Sequence, residues 1–537
     1  MSVFFNYNNA LCSLDQSPTP FSFDPSINYL KELLLSELKQ ISYYILKLEE
    51  SHIEITKYLN ETIYYISLII VNLEFKREDF EKIFNKIREN KTAVEDKYIE
   101  YCKKNGITAQ LITPSYHLEK NNSHNLSKKI SEGERQSYIK STALPKSKKY
   151  LHSIIINLVE VSCLVLTEFD NYGIDDKLAK LEVIKLLNQT NFISLSDEKL
   201  FSKILKYSRT SYKIMRNFKD LIIETYGPVE EKEVSMNLKK GPAILVSGHF
   251  FKDLEAILKA TENENINIYT HNDLLIAHSL SQLNHYKNLA GHYQKAIEDI
   301  KYDFATFPGP ILITQNSQPK IDFLRGRVYT LDKYPAFGMS KIENYDFSKI
   351  IQDARETGGF KKEMACSPIK VGYKWKEMVS NLYKIFERVK SGEIKHLFLI
   401  DLLNQYPHEN LYLEEFFNLL SDEHYVISLS YPSKQKNVYH IDAFYGYSLV
   451  YLIINEIIEN FDIDKLNFSV IFTHCDIQTI AHILNLKYCG FKSLFFGNCC
   501  PLTVNPNIIK GLNEFFGVKY LTLDPAEDFK DILKKRK

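Results

Sequence analysis

The stretch Lys240–Leu275, KGPAILVSGHFFKDLEAILKATENENINIYTHNDLL, constrains the fold more than any other part of the chain. Ala243–Val246 is a short apolar run between Gly241-Pro242 and Ser247-Gly248-His249, which predicts a buried strand ending in a tight turn. Lys252–Ala260 carries Leu254, Ile257 and Leu258 on one face and predicts a helix. Ile266–Thr270 predicts a second strand, which His271-Asn272-Asp273 leaves. Strand, helix and strand in this order put His249 and Asp273 at the carboxyl ends of two neighbouring strands, where open α/β sheets build their sites.

Either side of this stretch the periodicity changes. Asp24-Pro25 reads as an N-cap and first helical residue, and Leu30, Leu34, Leu38, Ile41, Ile45 and Leu48 follow at helical spacing. Leu59, Ile63, Ile66, Ile70 and Leu73 predict a second helix, and Lys91–Lys104 a polar one. Glu119–Ser147 is polar without an apolar period and reads as a mobile connection. From Lys149 the stripe Leu151, Ile154, Ile155, Leu158, Val161, Val165 resumes the helices, with Cys163 inside it as a small core residue. Gly227-Pro228 closes this half. Beyond it short strands alternate with helices: His396–Ile400, Tyr425–Ser430, Val470–Asp476, Ser493–Phe496 and Lys519–Leu523, with a helix over Pro506–Phe516. The expected organisation is a helical-bundle domain over 1–238, with 119–147 as the mobile connection. A first α/β domain over 239–390 and a second over 391–537 follow.

The composition excludes several classes. A chain of 537 residues with 45% hydrophobic and 25% charged residues is long enough for about three domains and a large core. Lys plus Arg equals Asp plus Glu, 67 each, so no bulk charge draws nucleic acid or an anionic membrane. Met1–Ala10 lacks a basic n-region and a long apolar run, so no secretory signal is expected. The most apolar run, Ile63–Leu73, is too short to span a bilayer. Eight cysteines in so long a chain make no disulfide framework, which fits a reducing compartment, the cytoplasm or an organelle matrix. The expected partners are accordingly neither nucleic acid nor membrane. The expected state is a monomer or homodimer, with an unknown protein partner as the open possibility.

The ordered motifs resemble those of the hybrid-cluster proteins, the prismane or hydroxylamine reductase family. SGHFFKDLEAIL and YTHNDLL stand where that family reads close to SGHDLKDLEELL and YTHGEML. FPGPILITQNSQ (Phe307–Gln318) stands for FPGPILMTTNCL, and FLRGRVYTLDKYPAFG (Phe323–Gly338) matches a stretch that follows YKDRIYTTG. VIFTHCD (Val470–Asp476) resembles a segment ending in SWYEQKA. The resemblance runs from about Ser131 to the C-terminus and more weakly over Pro25–Leu73. It implies N-terminal helical bundles followed by two Rossmann-like doubly wound α/β domains, and a reductase of hydroxylamine or nitric oxide. It also implies two centres, a 4Fe-4S or 2Fe-2S cluster near the N-terminus and a hybrid iron–sulfur–oxygen cluster.

The same resemblance shows what is missing. The N-terminal CxxC positions fall on Asn6 and Asn9, leaving only Cys12 in that region. The four hybrid-cluster cysteines fall on Ser317, on Leu402 or Leu403, on Pro432 and on Gly446. The family's histidine and two acids fall on His249, Asp273 and Asp476. Iron–sulfur clusters are held by thiolates, and Leu, Pro and Gly side chains offer iron no lone pair. Neither cluster is therefore expected, and no cofactor. The chain reads as a degenerate, catalytically inactive member with a binding, structural or regulatory role. No catalytic residue is assigned. Leu402 or Leu403, Pro432 and Tyr445 are the expected fillers of the old cavity.

The alternative is a metal-dependent oxidoreductase with one ion at His249, Asp273 and Asp476, since a histidine with two carboxylates can hold Fe(II), Mn(II) or Zn(II). Asp in place of Glu shortens the reach of both acids. Cys475, Cys489, Cys499 and Cys500 have no recognised metal spacing and read as buried or loop thiols. His474 and Cys475 are adjacent on a strand and point to opposite faces, which disfavours a nucleophile pair. VSGHF has one glycine, and neither GxGxxG nor Walker A occurs, so nucleotide binding has little support.

Overall fold

The computed structural model describes residues 25–71, 77–112, 126–137, 144–188, 195–294, 300–317, 324, 326–336, 338–400, 407–429, 433–441, 447–475, 477–499, 505–522 and 524–534. The first part is helical: α1 (Pro25–Glu50), α2 (Thr56–Val71), α3 (Arg77–Lys104), α4 (Leu126–Gln136), α5 (Lys146–Asn171), α6 (Lys177–Asn188) and α7 (Asp197–Tyr226). α5 is the hub. It packs on α2, α6 and α7, and its buried residues run from Tyr150 to Phe169 around most of the helix. It is the one described helix long and apolar enough to cross a membrane, and most of that stretch is buried inside the protein.

α4 corrects the expected mobile connection over 119–147, because part of that segment is a packed helix. Its inward face is polar, so no apolar period marks it. Lys129 is fully buried, ion-paired to Glu81, with its ammonium 4.5 Å from the centre of the Phe84 ring. Gly133 faces α1 so closely that an added Cβ would lie 1.8 Å from the Tyr29 carbonyl oxygen. Gly133→Ala therefore forces α4 off α1, at about 1–3 kcal/mol. The expected result is roughly 10- to 100-fold faster hydrogen exchange across Leu126–Gln136; unchanged exchange would show that the contact does not hold the helix.

The α/β part begins with β1 (Lys232–Val234), β2 (Ala243–Ser247), α8 (Phe251–Ala260) and β3 (Asn267–His271), followed by a 3-10 helix (Asn272–Ser279). Next come β4 (Leu289–His292), α9 (Ile300–Thr306), β5 (Ile311–Ile313), β6 (Val328–Thr330), β7 (Met339–Lys341), α10 (Ser348–Thr357), β8 (Ile369–Val371) and α11 (Trp375–Lys390). The remainder is β9 (His396–Ile400), α12 (Pro407–Asn418), β10 (His424–Ser428), β11 (Val438–His440), α13 (Tyr447–Asn460), β12 (Phe468–Cys475), α14 (Ile477–Tyr488), β13 (Ser493–Cys499), α15 (Pro506–Phe516), β14 (Lys519–Tyr520) and α16 (Pro525–Leu533).

Two six-stranded sheets result, β4-β3-β2-β5-β6-β7 and β11-β10-β9-β12-β13-β14, parallel throughout. Each has the 3-2-1-4-5-6 strand order of a doubly wound sheet, so the fold class expected from the sequence is the one observed. β1 and β8 pair separately and antiparallel. β2 shows why the first sheet needs cover on both faces. Ile244 and Val246 pack with Leu254, Ile257 and Ile350 of α8 and α10, while Ala243 and Leu245 pack with Phe304 and Phe307 on the other side. α11 lays Met378, Leu382, Ile385 and Phe386 into the core that contains Leu397, Leu399 and Ile454, with Phe386 edge-on to Phe461 at 5.0 Å. By packing, α11 goes with the second sheet rather than with 239–390.

Candidate functional site

A doubly wound sheet opens a crevice where its strand order reverses. In the first sheet that point lies between β2 and β5, whose residues Ser247 and Ile313 are in register. The turn after β2 carries Gly248 and His249, and the turn after β5 carries Thr314–Ser317. The two turns touch because residue 248 is glycine. Its φ is +131°, and a Cβ there would lie 2.1 Å from Thr314 Oγ1 and 2.7 Å from Ser317 Oγ. Thr314 Oγ1 accepts from the backbone N–H groups of His249 at 3.1 Å and Phe250 at 3.3 Å, which ties the β5 turn to the start of α8.

The imidazole of His249 is held on both sides. Nε2 lies 2.7 Å from Glu168 Oε1, and Nδ1 lies 2.7 Å from Ser317 Oγ. Glu168 comes from α5 in the helical part, so the contact crosses from the bundle to the first sheet. The Glu168 side chain is 6% exposed and that of His249 28%. Burial works against a charged imidazole here. The Glu168 carboxylate, through its charge and hydrogen bond, and then Asp273 and Asp332, overcome it and hold the pKa at about 9. At neutral pH the ring is an imidazolium, donating from Nε2 to Glu168 and from Nδ1 to Ser317. Lys252 of α8 adds a second link by donating to the Asn171 carbonyl at the end of α5.

The β5 turn is fixed from behind. Asp253 of α8, with no exposed surface, accepts from Gln315 N at 2.7 Å, Gln315 Nε2 at 3.0 Å and the Tyr345 hydroxyl at 3.2 Å. Burial pushes its carboxyl up to about 7 despite these donors. Asn316, at φ +58°, donates its N–H to Asp332 Oδ1 at 3.2 Å. Deeper in the sheet, His271 Nδ1 lies 2.8 Å from Ser247 Oγ, and Thr270 Oγ1 sits 2.8 Å from His278 Nε2 and 2.9 Å from His292 Nδ1. Burial lowers His278 to about 4 and His292 to about 3, so both are neutral interior groups.

Of the three side chains singled out from the sequence, His249 and Asp273 share one electrostatic neighbourhood, with Asp273 half-buried just beyond β3. Asp476 lies outside the described residues, as do Leu402, Leu403, Pro432, Tyr445 and Gly446. Ser317, at a cysteine position of the resembled family, is instead a hydrogen-bond partner of His249. Sequence reasoning missed Glu168. Its signal was present, because the stripe Val161, Val165 continues by helical spacing to position 168, where an acid replaces an apolar residue.

Both ring nitrogens of His249 are engaged by protein, and no group of three His, Cys, Asp or Glu side chains among the described residues could hold an ion. Cys102 and Cys163 are buried free thiols, and Cys366 and Cys489 are partly exposed ones. Burial raises Cys163 well above the ordinary thiol range and Cys489 to about 11, the opposite of what a thiolate ligand needs. The side chains of Cys475 and Cys499, and all of Cys500, lie outside the description.

Comparison with known proteins adds four findings. A family model described as the Prismane/CO dehydrogenase family matches residues 23–427. The hydroxylamine reductase of Thermodesulfovibrio yellowstonii is 30% identical over 326 residues, 58% of this chain and 60% of that protein, so the chain spans about three fifths of that relative's length. The hydroxylamine reductase of Thermotoga maritima is 30% identical over 346 residues, 62% of this chain and 80% of that protein. Among solved structures, carbon monoxide dehydrogenase IV from Carboxydothermus hydrogenoformans aligns with TM-score 0.47 and 13% identity, over 99% of this chain and 95% of that one.

Proposed function

The chain belongs to the Prismane/CO dehydrogenase family, and we propose that it is a member without iron–sulfur clusters and without hydroxylamine reductase activity. Its role would be binding, structural or regulatory. The observation that carries this reading is the bracketing of His249 by Glu168 and Ser317 at 2.7 Å on each side. A ligand histidine needs one ring nitrogen free for the metal, and here a carboxylate and a hydroxyl take both. The replacement of all four hybrid-cluster cysteines in the resemblance supports the same reading. The alternative, one metal at His249, Asp273 and Asp476, would require the ion to displace Glu168 or Ser317 from the ring. The free thiols among the described cysteines support a reducing, cytoplasmic setting. A protein is the proposed partner class, with nucleic acid and membrane disfavoured by the balanced charge.

The direct functional test is anaerobic reduction of hydroxylamine with reduced methyl viologen as electron donor. The expected result is ammonium formation no faster than in a protein-free blank. Turnover that scales with protein and saturates in hydroxylamine would overturn the proposal.

A further inference from the structure

We infer that Ser317, His249 and Glu168 form an acyl-transfer centre that takes esters or thioesters. The inference rests on the cluster-free reading, since a bound cluster would need the same histidine. Its basis is the order and spacing of three groups. A hydroxyl lies 2.7 Å from one ring nitrogen and a carboxylate 2.7 Å from the other. This is the nucleophile–base–orienter arrangement of activated serines, recognised by geometry and not by chain order. Exposure is graded in the sense such a site needs. Ser317 is partly accessible, the His249 side chain is 28% exposed, and Glu168 is 6% exposed behind it. The nucleophile is also held in place. Gln315 and Asn316 anchor its turn on Asp253 and Asp332, and Gly248 lets it approach the ring. Ser317 Oγ has two other neighbours, Thr314 Oγ1 at 3.1 Å and the Gln315 carbonyl at 3.3 Å, so its proton must turn from these towards His249 Nδ1.

The step balances without a redox partner. Ser317 Oγ attacks the carbonyl carbon, its proton passes to the neutral imidazole, and the carbon–oxygen or carbon–sulfur bond to the leaving group breaks as that proton is delivered to it. Water then attacks the acyl-serine by the same route, releasing acid and restoring the serine. Glu168 acts through His249 and is a positioning residue. Two features limit the rate. The Gln315 and Asn316 amides are committed to carboxylates and cannot serve a developing oxyanion, and each missing donor of that kind costs about 100- to 1,000-fold. The hydrogen bond from Glu168 also favours the charged ring, so the base form is gained at alkaline pH.

The test therefore uses an activated probe at pH 9.5. The wild-type chain is incubated with an alkyl fluorophosphonate, which forms an oxygen–phosphorus bond to serine and expels fluoride, and the adduct is mapped by mass spectrometry. The expected result is one adduct per chain, on Ser317. It should be lost in Ser317→Ala and formed at least about 100-fold more slowly in His249→Gln, as loss of a general base requires. In Glu168→Gln the alkaline rise in labelling rate should move to lower pH than in the wild type, because the carboxylate that favours the charged ring is gone, a change that a purely structural role would not produce. No adduct on Ser317 of the folded wild-type chain, or an unchanged labelling rate in His249→Gln, would overturn the inference. Such a failure in protein free of iron and sulfide leaves the cluster-free reading standing, whereas stoichiometric iron and sulfide defeats that reading itself.

Discussion

Glu168→Ala weakens the carboxyl-end crevice of the first sheet by about 2–3 kcal/mol and lowers the His249 pKa from about 9, since burial then opposes the charged ring with less compensation. Removing one partner of a buried ion pair costs about 3–5 kcal/mol because the remaining charge is stranded. The 28% exposure of the His249 side chain lets water recover part of this, hence the lower figure. The reciprocal change, His249→Ala, strands a carboxylate that is only 6% exposed and should cost at least as much. Because both changes break the same contact, the double variant should lose less than the sum.

The pH dependence follows from the raised pKa. The stabilisation from His249 is full below about pH 6.5 and is lost as pH rises through about 9. Asp253, also raised, is at its best below about pH 4 and loses its contribution as pH rises through about 7. The crevice therefore weakens from acid to alkaline pH in two windows, and Glu168→Ala removes only the upper one. Hydrogen exchange at the β2 and β5 amides, with a histidine titration followed by NMR, measures both effects. Equal exchange in wild type and variant, or an unmoved His249 titration, would contradict the account.

The architecture was readable because burial writes itself into periodicity. Val246 and its neighbours form a short continuous apolar run because β2 is covered on both faces, and the α5 stripe is long because that helix is enclosed around most of its circumference. α4 was not readable for the converse reason. It docks through a buried lysine, a glutamate and a glycine, and those residue types signal solvent until the partner helix is seen. The site was half readable. His249 and Asp273 stand out because they follow strands. Glu168 lies 81 residues from His249 in sequence, so nothing local announces their contact. Ser317 was legible as a lost cysteine. Its use as a hydrogen-bond partner depends on the close approach that Gly248 permits, which only the folded geometry shows.

We propose that positions His249 and Ser317, cluster ligands in the resembled family, here form with Glu168 a hydrogen-bonded lock between the bundle and the first sheet. On the proposed reading, Ser, Leu, Pro and Gly stand at the four cysteine positions, and His249 with its acids does not supply four soft anionic ligands. Restoring one of them should not suffice, so Ser317→Cys should still assemble no cluster. The decisive measurement is iron and acid-labile sulfide per chain, with visible absorption and electron paramagnetic resonance, on protein produced anaerobically with both elements in supply. The account predicts substoichiometric iron, no labile sulfide and no iron–sulfur signal, in wild type and in Ser317→Cys alike. Iron and sulfide in stoichiometric amounts with their absorption bands, in the wild-type chain, would contradict it.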